Sequence, residues 1–267
     1  VKAELLTSTS NPKVKRLVAL QQKSSERRES ALFVVEGKRE LQHCAEAGFE
    51  FGSLFFCPQA GGELEFCEAL CEKSPDAHIF EVSREVYSKI AFREGTEGVI
   101  AEVRSRKLSL QELELPENPL VIVLESVEKP GNLGAVLRSA DAAAANAVIV
   151  CDPLTDLYNP NLIRASIGAV FSVPTVACTS QEAITFLKDR GIRILTAQLQ
   201  DSSLYYDTDM KCGTAIIMGT ESTGLTDIWR KAADAHIRIP MLGRLDSLNV
   251  SVSAAILLFE AVRQRNG

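Results

Sequence analysis

"LVIVLESVEKPGNLGAVLRSADAAAANAVIVC", residues 120–151, sets two short apolar runs (120–124 and 147–151) on either side of a segment with helical period. Apolar residues without alternation imply strands covered on both faces, and such strands belong to parallel sheets flanked by helices. Between the runs, Pro130 and Gly131 form a turn, Asn132 stands where a helix cap is expected, and Leu133, Val136 and Leu137 supply the helix's apolar face. Arg138 falls on the second turn. The rest of the chain repeats the pattern, with "VPTVAC" (173–178), "IRILTA" (192–197), "TAIIMG" (214–219) and "AHIRIP" (235–240) as further strands. The expected fold is therefore α/β, a mostly parallel sheet with helices on both faces.

The 267 residues are enough for a larger and a smaller unit, each with its own core. "SRKLSLQELELPENPL" (105–120) is charged and carries Pro116 and Pro119, the composition of a linker. Expected boundaries are 1–105 for a first domain, 106–119 for the linker and 120–267 for the second domain. In the first, "ALFVVEG" (31–37) and "FGSLFFC" (51–57) read as strands around the helix "KRELQHCAEAG" (38–48), which ends on Gly48. This is a small α/β unit.

Composition narrows the function classes. With 46% hydrophobic and 24% charged residues the chain has the profile of an ordinary soluble protein. No apolar run approaches the roughly 18 residues of a membrane span, and "VKAELLTSTSNPKVKRL" lacks a secretory core, so a cytoplasmic protein without membrane attachment is expected. The seven cysteines are an odd number in a chain too large to need disulfides, which argues for reduced thiols. Cys67 and Cys71 suit one helix face, no second pair completes a metal site, and His43, His78 and His236 are scattered. Net charge is −6, yet residues 1–39 hold nine Lys and Arg against four Glu. Lys13, Lys15, Arg16, Arg27, Arg28, Lys38 and Arg39 are open to two readings, an RNA-binding footprint or a solvated helix face.

Sites in parallel sheets lie beyond the carboxyl ends of strands, which directs attention to three loops. The first, after 120–124, is neither a dinucleotide fingerprint nor a P-loop, because its glycines are wrongly spaced and no Gly-Lys-Ser/Thr follows. The second, "GTESTGLTDIW" (219–229), has Gly219 and Gly224 for close backbone approach or positive φ. Its Glu221 is placed to accept hydrogen bonds from a helix start or a ligand. The third, "MLGRLDSLNVSVSAAILLFEAVRQR" (241–265), opens a long apolar helix that Ser247 or Asn249 would cap. Capping uses one residue, and Ser247, Asn249 and Ser251 are three.

Together the three loops resemble the signature motifs of the SpoU (TrmH-like) family of S-adenosylmethionine-dependent RNA ribose 2′-O-methyltransferases, within the SPOUT superfamily. The motifs are "PGNLGAVLRSADA" (130–142), "IIMGTESTGL" (216–225) and "IRIPMLGRLDSLNVSVSAAILLFE" (237–260), in the family's order. Between them "RASIGAVFSVPTV" (164–176) resembles the family's connecting stretch, with Ser166, Gly168 and Pro174 in place. "SNPKVKRLVALQQ" and "ALFVVEGKRELQHCAEAG" resemble the small substrate-binding domain of L30-like fold that precedes many members. Lys129, where an acid is frequent, and Asn146, where glycine is, depart from the pattern without touching motif residues.

The resemblance implies a sheet whose C-terminal part is threaded into a trefoil knot, with S-adenosylmethionine held there by Gly219, Thr220, Glu221, Ile239, Met241, Ser247, Leu248 and Asn249. It implies that Arg138 serves the attacking ribose oxygen, as base or as phosphate and oxyanion clamp, with Asn132 orienting it and Glu221, Ser247 and Asn249 holding substrate and loop. It further implies a homodimer, no metal, the basic N-terminal residues as an RNA arm, and large-subunit (23S-type) rRNA as substrate. A tRNA substrate and a non-catalytic ribosome-assembly protein of the same fold are the alternatives.

Overall fold

The computed structural model describes residues 3–92, 97–220 and 223–267. It contains two compact units, Val1–Arg106 with Tyr158–Gly168, and Lys107–Leu157 with Ala169–Gly267. In chain order the elements begin β1 (Glu4–Leu6), α1 (Pro12–Gln22), α2 (Ser24–Ser30), β2 (Leu32–Glu36), α3 (Lys38–Glu46), β3 (Phe51–Phe56), α4 (Leu64–Cys71), β4 (His78–Val82), α5 (Arg84–Ile90) and β5 (Val99–Arg104). They continue with β6 (Leu120–Glu125), α6 (Pro130–Ala142), β7 (Ala147–Cys151), α7 (Pro160–Ser166), α8 (Ala169–Ser172), β8 (Thr175–Cys178) and α9 (Ser180–Asp189). The last are β9 (Arg193–Ala197), β10 (Ser203–Leu204), β11 (Thr214–Met218), α10 (Asp227–Ala232), β12 (Ala235–Arg238) and α11 (Val250–Asn266).

The first unit has a mixed sheet of order β1-β4-β3-β5-β2, with β5 antiparallel to both neighbours. Its first helix follows from local chemistry. Pro12 occupies the first turn, where no N–H is needed, and the Asn11 side chain accepts from the Lys13 N–H at 2.9 Å. Val14, Leu17 and Leu20 share one helix face and are buried with Leu6, Val34, Phe55 and Phe80. Lys13, Lys15 and Arg16 are left exposed. Arg27 corrects the reading of the basic arm. It is buried and donates to the carbonyls of Leu20 (2.6 Å) and Gln21 (3.3 Å), closing the end of α1 rather than facing a ligand. Residues 158–168 also belong here: Tyr158 stacks on Phe33 at 4.2 Å, and Asn159 caps α7. Ser166 and Gly168 are thus part of this unit.

The second unit has a seven-stranded sheet of order β10-β12-β9-β11-β6-β7-β8, every pair parallel. Every residue of β6, β7 and β11 is buried, as two covered faces require. Val121, Val123, Ile149, Ile194, Ala215 and Ile217 pack against Ile184 and Leu187 of α9 and Trp229 of α10. The alternate residues of these strands therefore face the opposite side, where α6 and α11 pack on each other and on the sheet. Leu110 and Leu113, from the stretch expected as a linker, enter the α9-side core. A two-residue strand, β10, has no counterpart in the sequence reading.

The position of β12 matters most for the site. Ile237 pairs with Ala197 of β9 on one side and with Ser203 of β10 on the other. Residues 198–202 join those two strands, so this bridge crosses one face of β12, which comes later in the chain. Gln198 is tied to the crossing, its N–H donating to the Ile237 carbonyl at 3.0 Å.

Among the described residues no helix is long and apolar enough to cross a membrane. All seven cysteines are free thiols. Burial pushes Cys67 up to about 12 and Cys71 to about 11.

Candidate active site

A cleft of about 400 Å³ opens at the carboxyl ends of β9, β11 and β12, within the second unit. Three loops form it, each contributing a different chemistry. Gln198, Leu199 and Gln200 come from the loop after β9; Gly219, Thr220, Thr223 and Gly224 from the loop after β11; Ile239, Met241, Asp246, Ser247 and Leu248 from the segment after β12. Val250, Ser253 and Leu257 of α11 close one side and Arg230 of α10 another. The size suits a nucleoside-sized ligand, and the walls mix apolar side chains with backbone amides. Of the residues expected around a cofactor, Gly219, Thr220, Ile239, Met241, Ser247 and Leu248 line this cleft. Glu221 lies outside the described residues.

The two glycines of the second motif divide the two options between them. Gly224 adopts φ +68, the left-handed region. Gly219 is required by close approach, since a Cβ there would sit 2.3 Å from the Gly224 carbonyl carbon and 2.5 Å from the Leu225 nitrogen. Thr220 and Gly224 exchange backbone hydrogen bonds (3.0 and 3.3 Å), and the Thr220 hydroxyl accepts from the Thr223 N–H at 3.1 Å. Beyond the loop, Thr226 donates to the buried Glu125 through its N–H (2.9 Å) and its hydroxyl. The Ser180 hydroxyl donates to Asp152 at 2.6 Å, lies 3.3 Å from Glu125, and accepts from Trp229 Nε1 at 3.0 Å. A carboxylate at the end of an apolar strand thus pins the loop to the sheet.

Removing that pin takes the acceptor from two part-buried Thr226 hydrogen bonds and empties the buried site of the Glu125 side chain. Glu125→Ala is expected to lower unfolding stability by about 3 kcal/mol. Chemical denaturation followed by fluorescence of Trp229, the single tryptophan, reports it directly. An unshifted midpoint would refute the anchoring role.

Motifs one and three meet away from the cleft wall. The Asn249 side chain caps α11, accepting from Ser251 N (3.0 Å) and Oγ (2.6 Å), while its Nδ2 donates to Asn132 Oδ1 at 3.2 Å. One side chain therefore fastens the start of α11 to the first turn of α6. Asn132 is not the cap of α6, as the sequence suggested: Lys129 holds that position and Pro130 begins the helix. Arg138 stands exposed on α6, about 9 Å further along the axis, with no hydrogen-bond partner among the described residues. Neither Asn132, Asn249 nor Arg138 lines the cleft. No group of three or more His, Cys, Asp or Glu among the described residues is arranged to hold a metal ion.

The pattern of the SpoU rRNA methylase family matches residues 119–259, more than half of the chain. The chain belongs to the SpoU rRNA methylase family. Residues 11–101 match an MRM3-like substrate binding domain. Among relatives, a 23S rRNA (guanosine-2′-O-)-methyltransferase RlmB of Ralstonia nicotianae is 36% identical over 182 residues, covering 66% of this chain and 73% of the relative. The crystal structure of an RNA 2′-O ribose methyltransferase superposes with a TM-score of 0.83 at 39% identity, over 98% of this chain and 100% of the other. An AdoMet-bound rRNA methyltransferase from Sinorhizobium meliloti gives 0.89 at 30% identity, over 98% of both chains. Both solved structures align over the two units, the SpoU pattern itself lying within 119–259.

Several residues of this SpoU family member escaped the sequence reading. Gln198, Leu199 and Gln200 follow a recognised strand, but "QLQ" has neither glycine nor charge to draw attention. Glu125 carried a signal that passed unread, an acid ending the run "LVIVLE" where both faces are covered. In the first unit, Lys13 pairs with Glu4 (3.8 Å), Arg16 with Glu102 (3.6 Å), Lys38 with Glu63 (3.0 Å) and Arg39 with Glu40 (3.0 Å). Burial holds the Glu102 carboxyl above its ordinary range, against the pull of Arg16. Lys15 and Arg28 are exposed.

Proposed function

We propose that this chain is an S-adenosylmethionine-dependent methyltransferase that modifies a ribose 2′-hydroxyl in large-subunit (23S-type) rRNA, acting in the cytoplasm. The observation that carries the reading is the cleft: loops distant in sequence bring Gly219, Thr220, Ile239, Met241, Ser247 and Leu248 to one place. The names of the RlmB relatives and of the AdoMet-bound structure point the same way. The donor set fits such a cofactor. Leu199, Ile239, Met241 and Leu248 offer apolar surface for a purine, loop amides offer donors, and Gly219 keeps the approach open. The bridge 198–202 crossing β12 is the kind of threading a trefoil knot requires, and we assign the knot there.

When bound, S-adenosylmethionine supplies an electrophilic methyl on its sulfonium. The chain's own residues then face a neutral hydroxyl, a poor nucleophile whose proton passes to solvent water as its oxygen attacks. A guanidinium presents a planar fork of N–H donors and no acceptor, so the part of Arg138 is to clamp phosphate and steady the developing oxyanion. Asn132, held by Asn249, orients the ribose beside it. RNA is selected because only RNA carries the attacking group.

The working unit is a homodimer on this reading. Arg138 is outside the cleft of its own protomer, and α11, packed on α6, exposes Val252 and Phe259 seven residues apart on one face. A second copy covering that face carries its Arg138 toward the neighbour's cleft. Lys13, Lys15, Arg16, Arg28, Lys38 and Arg39 form the RNA arm: Lys15 and Arg28 are exposed, and the exposed Lys13–Glu4 pair exchanges readily for phosphate.

The test is transfer of a labelled methyl to rRNA from cells lacking the modification. Label is expected in alkali-resistant dinucleotides, because a 2′-O-methyl blocks attack on the adjacent phosphate. Label in mononucleotides would mean base methylation and overturn the assignment; RNA binding without transfer would favour the assembly-protein alternative.

A further inference from the structure

Arg230 is not part of any motif singled out in the sequence, yet it borders the cleft. Its side chain is half-buried, and Nε is shut away from solvent without an acceptor among the described residues. The nearest carboxylate, Asp227 Oδ1, lies 3.7 Å from a terminal guanidinium nitrogen, and Asp227 is itself 79% exposed. Such a pair is weak, and it leaves Nε unmet. Buried N–H groups without partners are rare, and the donor of a permanently charged group asks for an anionic acceptor.

The cleft narrows the choice of acceptor. Its other cation, Arg238, already donates to the Ser202 hydroxyl at 3.4 Å. Its one described carboxylate, Asp246, has Ser247 Oγ at 3.4 Å. The terminal guanidinium nitrogens of Arg230, on a side chain 38% exposed and met among the described residues only by the long Asp227 contact, are therefore the donors open to a ligand. In the cofactor assigned to this cleft, one group is an anion, the carboxylate of the methionine moiety. A guanidinium edge offers two parallel N–H donors, the geometry that a carboxylate accepts.

We propose that Arg230 anchors the methionine carboxylate of S-adenosylmethionine, holding the amino-acid arm against the α10 wall. It is a positioning residue that does not touch the reacting atoms. The proposal rests on the reading of the cleft as the cofactor site.

The experiment compares two ligands by calorimetry on the full chain: S-adenosylmethionine, and its decarboxylated analogue, which keeps the sulfonium and purine but lacks the anion. The intact protein is expected to bind the first about 10- to 100-fold more tightly. Arg230→Ala should erase that preference, weakening S-adenosylmethionine while leaving the analogue's Kd unchanged, and Arg230→Lys should restore part of it. Equal weakening of both ligands, or no weakening of either, overturns the assignment. An intact protein that binds neither ligand overturns the cofactor reading itself, and this proposal with it. Trp229 fluorescence and circular dichroism verify that the variants are folded.

Discussion

Arg138→Ala is expected to cut methyl transfer by about a thousand-fold while leaving the Kd for S-adenosylmethionine and the melting temperature unchanged. The separation of effects follows from position. Arg138 is exposed on α6, makes no hydrogen bond among the described residues and does not line the cleft. Alanine there is a better helix former, so the fold has no reason to suffer. A clamp on phosphate and oxyanion acts only once RNA is present, which places the whole loss in the chemical step. Arg138→Lys sharpens the test, because it keeps the charge and loses the planar fork. Intermediate activity supports the clamp; undiminished turnover in Arg138→Ala would remove Arg138 from the mechanism.

What could be read from the sequence was what neighbouring residues decide. Runs such as "LVIVLE" and "AVIVC" announce strands with two covered faces, and in the structure they are interior strands of a wholly parallel sheet, each paired on both sides. The strand-end rule then found the loops after β11 and β12. Other features depend on partners far along the chain. Nothing in "AHIRIP" says that β12 inserts between β9 and β10, since that register is set by pairings of Ile237 with Ala197 and Ser203. Counting charges cannot separate Arg27 from Arg28, although one faces the carbonyl end of α1 and the other faces solvent. At the start of α6, asparagine's preference for caps competed with proline's for the first turn, and Pro130 decided the boundary. The surplus polar residues near α11 are resolved by division of labour. Asn249 is cap and tie, whereas Ser247 faces the cleft.

Gly219→Ala is expected to weaken cofactor binding at least about 100-fold with the sheet intact. The added Cβ would meet Gly224 and Leu225 backbone at 2.3–2.5 Å, and backbone cannot swing aside as a flexible side chain does. The loop has little slack, because Thr226 is pinned to Glu125 just beyond it. Relief must come from opening the Thr220–Gly224 pairing, which carries Thr220 and Thr223 away from the cleft wall. The lesion is confined to one loop, so Trp229 and its hydrogen bond to Ser180 should still report a folded core. Wild-type affinity in Gly219→Ala would show that this loop does not form the cofactor wall. The same variant also tests the dimer. Mixing it with Arg138→Ala creates heterodimers with one intact cleft and one intact arginine, and activity should return to about a quarter of wild type if each arginine serves its neighbour. If each arginine served its own cleft, the intact pair would be found on neither protomer, and the mixture would stay inactive.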